Sequence, residues 1–237
     1  MADWAIITGA SRGIGREAAA RFTEAGWRVM NVSRQPCPVP GVVNLAVDLA
    51  QPGWEPRVAE ALRDALGEAP GAGRVCLVHN AALYGHDDAL SLTGEHLRRV
   101  LEVNLVAPAL LNALVRGHLT EGSSILYVGS TLSEKAVRGA ASYVTSKHAL
   151  VGLMRSTCQD LAGTRVHTVC VCPGFTDTEM MRENVGDDEA ARARTAARQT
   201  FGRLIAPQEI ADVLLYCART PVLNGAVLHA HLGQIES

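Results

Sequence analysis

Long runs of like charge are missing from this sequence. Its net charge is −2 over 237 residues, and charged residues make up only 19%. Nucleic acid and anionic membrane are therefore not expected partners. No apolar segment approaches the roughly 20 residues that a bilayer-crossing helix needs. The opening, Met1-Ala2-Asp3-Trp4-Ala5-Ile6-Ile7, has neither the basic region nor the apolar length of a signal peptide. No C-x-x-C pair occurs. The six cysteines, at 37, 76, 158, 170, 172 and 217, fall mostly in strand or helix patterns, where a thiol behaves as a small hydrophobe. Reduced thiols in a cytoplasmic protein are the expectation. Internal repeats and low-complexity segments are absent too. His229 and His231 share a strand face, but no third ligand stands at convincing spacing, so no metal site is expected.

What is present is apolar periodicity punctuated by glycine and proline. Hydrophobic residues make up 48%, enough for a large core, and the length suits one α/β domain over 1–237 better than two small ones. Apolar runs at 3–8, 28–33, 42–47, 75–79, 124–129, 166–172 and 225–232 predict strands. The run Val75-Cys76-Leu77-Val78-His79 is continuous, as in the centre of a parallel sheet. Helical periodicity marks 14–25, 55–66 and 97–119, a segment from Tyr143 onward with Leu150, Leu153 and Met154, and 207–218 with Pro207 in its first turn. Residues 67–73 form a glycine-rich break. Residues 175–203 are polar and irregular, as in a mobile lid.

The first predicted strand runs into Thr8-Gly9-Ala10-Ser11-Arg12-Gly13-Ile14-Gly15 and then a helix. Strand, glycine turn and helix form the setting of a dinucleotide fingerprint. The glycines permit a tight turn and close approach, and the helix N-terminus meets the pyrophosphate. At the end of the second strand, where NAD sites commonly carry a carboxylate for the ribose hydroxyls, the sequence has Ser33-Arg34. A guanidinium pairs with a 2′-phosphate, and Arg12 can approach it from the glycine loop. The other reading is a pair of solvated surface arginines. Asp48, before Leu49, either accepts from an adenine amino group or caps the next segment.

Tyr143 and Lys147 are four apart. On a helix they share a face about one turn apart, and a nearby ammonium is expected to lower the phenol's pKa from about 10. Ser130 ends the run Ser124-Ile125-Leu126-Tyr127-Val128-Gly129, at the edge where open α/β sheets bind ligands. Asn104 falls on an apolar helical stripe four residues before Pro108. Proline donates no amide hydrogen, so the Asn104 carbonyl is freed either to hold a water or to be satisfied by neighbouring side chains at a kink.

Taken together, these motifs resemble the short-chain dehydrogenase/reductase family over essentially the full length. The resemblance rests on the 8–15 glycine loop, Asn80-Ala81-Ala82, Asn104, Ser130, Tyr143-x-x-x-Lys147 and Pro173-Gly174. It implies a Rossmann-like, doubly wound parallel sheet of about seven strands with helices on both faces, usually in a homotetramer. It implies that Tyr143 is general acid/base on the substrate oxygen and that Ser130 orients the carbonyl. Lys147 holds the nicotinamide ribose and tunes Tyr143, and Asn104 positions a water in a proton relay to Lys147. The cofactor contacts it implies are Gly9, Ser11, Arg12, Gly13, Ile14, Gly15, Ser33, Arg34, Asp48, Leu49, Asn80, Ala81, Ala82, Tyr143, Lys147, Pro173, Gly174, Thr176 and Thr178, with Arg12 and Arg34 favouring NADP(H) over NAD(H). The expected activity is reduction of a small-molecule carbonyl to a secondary alcohol, with a 3-oxoacyl substrate one candidate. The alternatives are oxidative alcohol dehydrogenation and a non-catalytic NADP(H)-binding regulator. Arg182, Arg192, Arg194 and Arg198 in the lid either recognise an acidic or carrier-bound group or form a solvated face. Two departures stand out. The family's Asn-Asn-Ala-Gly is His79-Asn80-Ala81-Ala82, and its Asp-Gly-Gly after the last strand is His231-Leu232-Gly233.

Overall fold

The computed structural model describes residues 2–67, 71 and 73–235, so most of the predicted 67–73 break lies outside the described residues. Seven parallel strands form one sheet in the order β3-β2-β1-β4-β5-β6-β7. They are β1 (Trp4–Thr8), β2 (Arg28–Ser33), β3 (Val43–Ala46), β4 (Val75–His79), β5 (Ser124–Val128), β6 (His167–Pro173) and β7 (Ala226–Ala230). The four strands β1, β4, β5 and β6 are buried at every position, because helices cover both faces. Side chains alternate between those faces. Ile6, Leu77, Ile125 and Tyr127 enter one core with Leu111 and Met154. Ala5, Ile7, Val78 and Leu126 enter the other with Phe22 and Leu214. Each fully buried aliphatic or aromatic side chain of this kind stabilises the fold by about 1.5–3 kcal/mol.

The helices are α1 (Gly13–Glu24), α2 (Glu55–Leu66), α3 (Gly94–Leu101), α4 (Ala107–Val115), α5 (Ala141–Asp160), α6 (Glu179–Val185), α7 (Glu189–Ala196) and α8 (Pro207–Ala218). The predicted 97–119 helix is instead four pieces. A π-helical turn, Glu102–Val106, separates α3 from α4, with the Ala107 amide donating to the Glu102 carbonyl, and a short 3-10 turn follows Val115. The widened turn takes the place of the kink expected from Pro108. The run Gly94–His118 is, by length and composition, apolar enough to cross a bilayer, contrary to the sequence expectation. Here it is a core helix, with Val100, Val103, Ala107, Leu111 and Val115 buried. The polar 179–203 region is more regular than its sequence suggests. Thr178 caps α6 through the Met181 amide (3.2 Å), and Asp188 caps α7 through the Ala191 amide (2.7 Å).

The chain builds outward from β1 in both directions, to β2-β3 on one side and β4-β7 on the other. Between β1 and β4 the strand order reverses, and there the loops that leave their carboxyl ends diverge and open a crevice.

Candidate active site

The loop after β1 forms the floor of that crevice. Gly13 stands at φ +55°, where an L side chain is strained. Gly15 is required by contact, since a Cβ there would lie 2.3 Å from the Gly9 carbonyl oxygen and 2.5 Å from Asn80 Nδ2. Asn80 ties this loop to the one after β4. Its Nδ2 donates to the carbonyls of Thr8 (2.9 Å) and Gly9 (3.1 Å), while the amides of Asn80 and Ala81 donate to Thr8 Oγ1, each at 3.0 Å. Ala82, where the family pattern has glycine, lines the crevice without a left-handed backbone. Asn31 was not legible as a site residue, although an amide in an apolar strand was the available signal. From the buried face of β2, its Oδ1 accepts from the Ala10 amide (3.0 Å) and its Nδ2 donates to the Gln35 carbonyl (3.0 Å) and Asn44 Oδ1 (2.9 Å). It thereby fixes both the glycine loop and the turn that carries Arg34.

The crevice is a cleft of about 730 Å³. Ser11, Arg12, Ile14, Ser33, Arg34, Asp48 and Leu49 line one end, and Ser130, Tyr143 and Lys147 line the other. Pro173, Gly174, Thr176 and Thr178 border it from the β6 side. Gly15 is not on the lining itself but lets it close. The Ser33 hydroxyl donates to the Gln35 carbonyl (2.6 Å), and Asp48 Oδ1 accepts from the Ala50 amide (3.0 Å) in a local turn, while the residue that precedes α2 is Trp54. Arg34 is exposed, with no ionic partner among the described residues. Arg12 is not free: its Nη1 pairs with Glu183 of α6 at 2.6 Å.

At the other end, α5 starts from a clamp. The Ser142 amide donates to Asp87 Oδ1 (2.9 Å), the Ser142 hydroxyl donates to Asp87 Oδ2, and His96 Nε2 lies 3.2 Å from that same oxygen. One residue on, Tyr143 enters the cleft beside Ser130, which caps a 3-10 turn, Thr131–Ser133. Lys147 is buried and donates to the Val128 carbonyl at 2.7 Å, with Nζ 5.4 Å from the centroid of the Tyr143 ring. Asn104, also buried, spends its whole side chain on protein partners. Oδ1 accepts from the Leu83 amide (2.7 Å), and Nδ2 donates to the Leu83 carbonyl and Ser146 Oγ, both at 2.9 Å. Ser146 Oγ in turn donates to the Tyr143 carbonyl (2.7 Å).

Proximity to Lys147 does not lower the Tyr143 pKa as expected. Burial pushes it up to about 12, against an opposing hydrogen bond from Ser130. Burial also drives Lys147 down to about 8, against the opposing influence of Cys170 and Cys172, because leaving water disfavours the charged form.

The lid arginines divide. Arg182 and Arg192 both pair with Asp177, with contacts of 2.9 and 2.6 Å, while Arg198 lies over the Phe175 ring, 5.0 Å from its centroid. Arg182 and Arg192 are thus partly exposed and already paired within the lid. His229 pairs with Glu134 (3.1 Å), and His231 Nδ1 accepts from the Gln234 amide (3.0 Å). Among the described residues no three His, Cys, Asp or Glu gather as a metal-holding group. Leu232, standing where the family pattern has glycine, has a left-handed backbone, at φ +49°, a conformation that glycine adopts without strain. Two residues in the site gave no sequence signal, Asp87 and Tyr84. The Tyr84 ring lies 4.6 Å from that of Tyr143.

A model of the short chain dehydrogenase family matches residues 3–189. Carbonyl reductase family member 4 of Danio rerio is 29% identical, over 96% of this chain and 96% of that protein. A putative ketoacyl reductase of Streptomyces coelicolor is 33% identical, over 90% of this chain and 88% of that one. The ligand-free structure of aldohexose dehydrogenase from Thermoplasma acidophilum superposes with a TM-score of 0.89 at 26% identity, covering 98% of this chain and 93% of that one. With the parallel sheet, the glycine loop at its switch point and the tyrosine and lysine at the far end of one cleft, these likenesses make the chain a member of the short-chain dehydrogenase family, oxidoreductases that act on small molecules with a nicotinamide cofactor.

Proposed function

We propose that this protein is an NADP(H)-dependent reductase that converts a carbonyl to a secondary alcohol. The observation that carries the reading is one continuous cleft with the guanidinium of Arg34, unpaired among the described residues, at one end and Ser130, Tyr143 and Lys147 at the other. The fit of a dinucleotide rests on the glycine loop, where a Cβ at Gly13 or Gly15 would fill the cradle or break its backbone. Bound there, the nicotinamide supplies the hydride in reduction and takes it in the reverse direction.

The protein's own work is proton transfer and orientation. Charge grows on the substrate oxygen as hydride reaches the carbon. Ser130 holds that oxygen and Tyr143 gives it a proton, so both donors meet the charge only as it develops. A phenol near pKa 12 is a ready hydrogen-bond donor but a reluctant acid, so the positive charge of Lys147 must bear on the phenolate once the substrate excludes water. Proton resupply runs by way of Lys147, toward a water that the main-chain carbonyl of Asn104 helps to position, its side chain being committed to Leu83 and Ser146. The region 175–203 acts as a lid over the substrate end. The chain acts in the cytoplasm as a homotetramer, following the family resemblance, and sedimentation tests the assembly.

Titration with NADPH and NADH, followed by fluorescence, tests the cofactor assignment. Tighter NADPH binding is expected, and Arg34→Asp is expected to move preference toward NADH. Tyr143→Phe is expected to bind cofactor normally while losing turnover of ketones. Retained turnover in that variant overturns the mechanism, and tighter NADH binding by the unmodified protein overturns the cofactor choice. The same site runs oxidatively if alcohols, not ketones, prove to be turned over.

A further inference from the structure

Tyr84 stands against the proposed acid/base and takes no part in the chemistry derived above. Its ring is 4.6 Å from that of Tyr143 with 39° between the planes, within the range of favourable aromatic contact, and it lines the same cleft. Its backbone is pinned on both sides. On one, the amide and carbonyl of Leu83 are both taken by the Asn104 side chain. On the other, Asp87 is held through its amide to the Gly139 carbonyl (3.1 Å) and through its carboxylate to Ser142. Those anchors belong to the π turn and to the start of α5, the elements that also position Tyr143. The ring thus sits between two anchored stretches of backbone and packs against Tyr143 and, with 5.3 Å between ring centroids, His86. The same cleft is lined by apolar Val103, Leu132, Val137 and Met181 as well as by Arg99 and Arg138.

We propose that Tyr84 is a specificity-determining residue that favours substrates with a planar, aryl or otherwise unsaturated group next to the carbonyl. The proposal rests on the reading of Tyr143 as the group that meets the substrate oxygen, because that fixes which part of the substrate lies over Tyr84. A flat substituent can stack on an aromatic ring, whereas a puckered one of equal size makes fewer contacts, and aromatic pairs add about two- to tenfold in affinity beyond burial.

The test is calorimetric binding of acetophenone and cyclohexyl methyl ketone to the unmodified protein, Tyr84→Phe and Tyr84→Leu, each saturated with NADP⁺ so that no turnover intervenes. The unmodified protein and Tyr84→Phe are expected to prefer acetophenone, and Tyr84→Leu to lose that preference by about two- to tenfold. Circular dichroism and NADP⁺ affinity check that Tyr84→Leu is folded. A ratio unchanged in Tyr84→Leu, no aryl preference in the unmodified protein, or binding of neither ketone overturns the assignment. A ketone bound with the expected ratio but never reduced when NADPH is supplied overturns the reductase reading and leaves Tyr84 in place.

Discussion

Lys147 illustrates how burial acts on a single residue. Its ammonium is held by the Val128 carbonyl, yet burial lowers its pKa to about 8, below the ordinary value of about 10.4. Between those two values the unfolded chain still holds a proton that the folded protein has released. Stability therefore rises with pH across that window, and the cost of the buried charge is fully present below pH 8. Tyr143 works the other way. With its pKa pushed up to about 12, the folded protein keeps a proton that the unfolded chain loses above about pH 10, so stability falls there. Urea unfolding of Lys147→Met is expected to show a shallower rise from pH 8 to 10 than the unmodified protein. Parallel curves would rule out a buried, titrating Lys147. Arg12 gives a second expectation at this scale. Its exposed pair with Glu183 is of a type that contributes about 0.2–1 kcal/mol. If the same guanidinium is to meet a 2′-phosphate, Glu183 competes with the phosphate for it. Glu183→Gln is expected to tighten NADPH by up to about fivefold and to leave NADH unchanged. Equal changes in both titrations would remove Arg12 from the phosphate site.

The elements that meet at α5 set where Tyr143 stands. Asp87 serves as a cap brought in from another loop, and despite its burial the hydrogen bonds from Ser142 hold its carboxyl below the usual carboxylate range. The contribution of Asp87 is thus present above about pH 4 and lost as pH falls through its lowered pKa. Hydrogen bonds to a charged group contribute about 1.5–3 kcal/mol, and in a protein of this size each kcal/mol moves Tm by about 2–4 °C. Asp87→Ala is expected to lower Tm by about 3–12 °C in calorimetry at pH 7. An unchanged Tm would mean that α5 starts there without help. This scale also shows how far the sequence could be read. The central strands β1, β4, β5 and β6 were legible because parallel strands buried on both faces must be continuous apolar runs. The bounds of α2 and α8 were legible because amphipathic spacing and an early proline act locally. The π turn was not, since it forms where the Asn104 side chain reaches Leu83 and Ser146, contacts fixed only by tertiary packing. Ser130, Tyr143 and Lys147 were legible as a set because their spacing is local or ends a strand. Tyr84 and Asp87 were silent because each gains its meaning from α5, which lies far away in sequence. The lowered Tyr143 pKa was misjudged because spacing reports distance and not burial.

For the whole molecule, the loops that the sheet's reversal brings together form one cleft, so cofactor binding and folding are coupled. The glycine loop, the 80–82 segment and the 173–178 segment leave three different strands and converge only in the folded state. A dinucleotide that bridges them binds the native protein and not the unfolded chain. Saturation at 100 times Kd then adds about 2.7 kcal/mol, which for a chain of this length corresponds to about 5–10 °C in Tm. NADPH is expected to give that shift at a concentration where NADH gives a markedly smaller one. In Arg34→Asp the order should reverse, because the phosphate loses its partner while the ribose hydroxyls gain an acceptor. Salt separates the contributions further. An exposed guanidinium–phosphate contact is screened within a Debye length of about 8 Å at physiological ionic strength, so the advantage of NADPH should shrink as salt rises while the shift from NADH stays nearly constant. Equal shifts from both cofactors, insensitive to salt, would mean that the cleft holds the dinucleotide through its glycine loop alone, and that Arg34 is a surface residue which happens to border it.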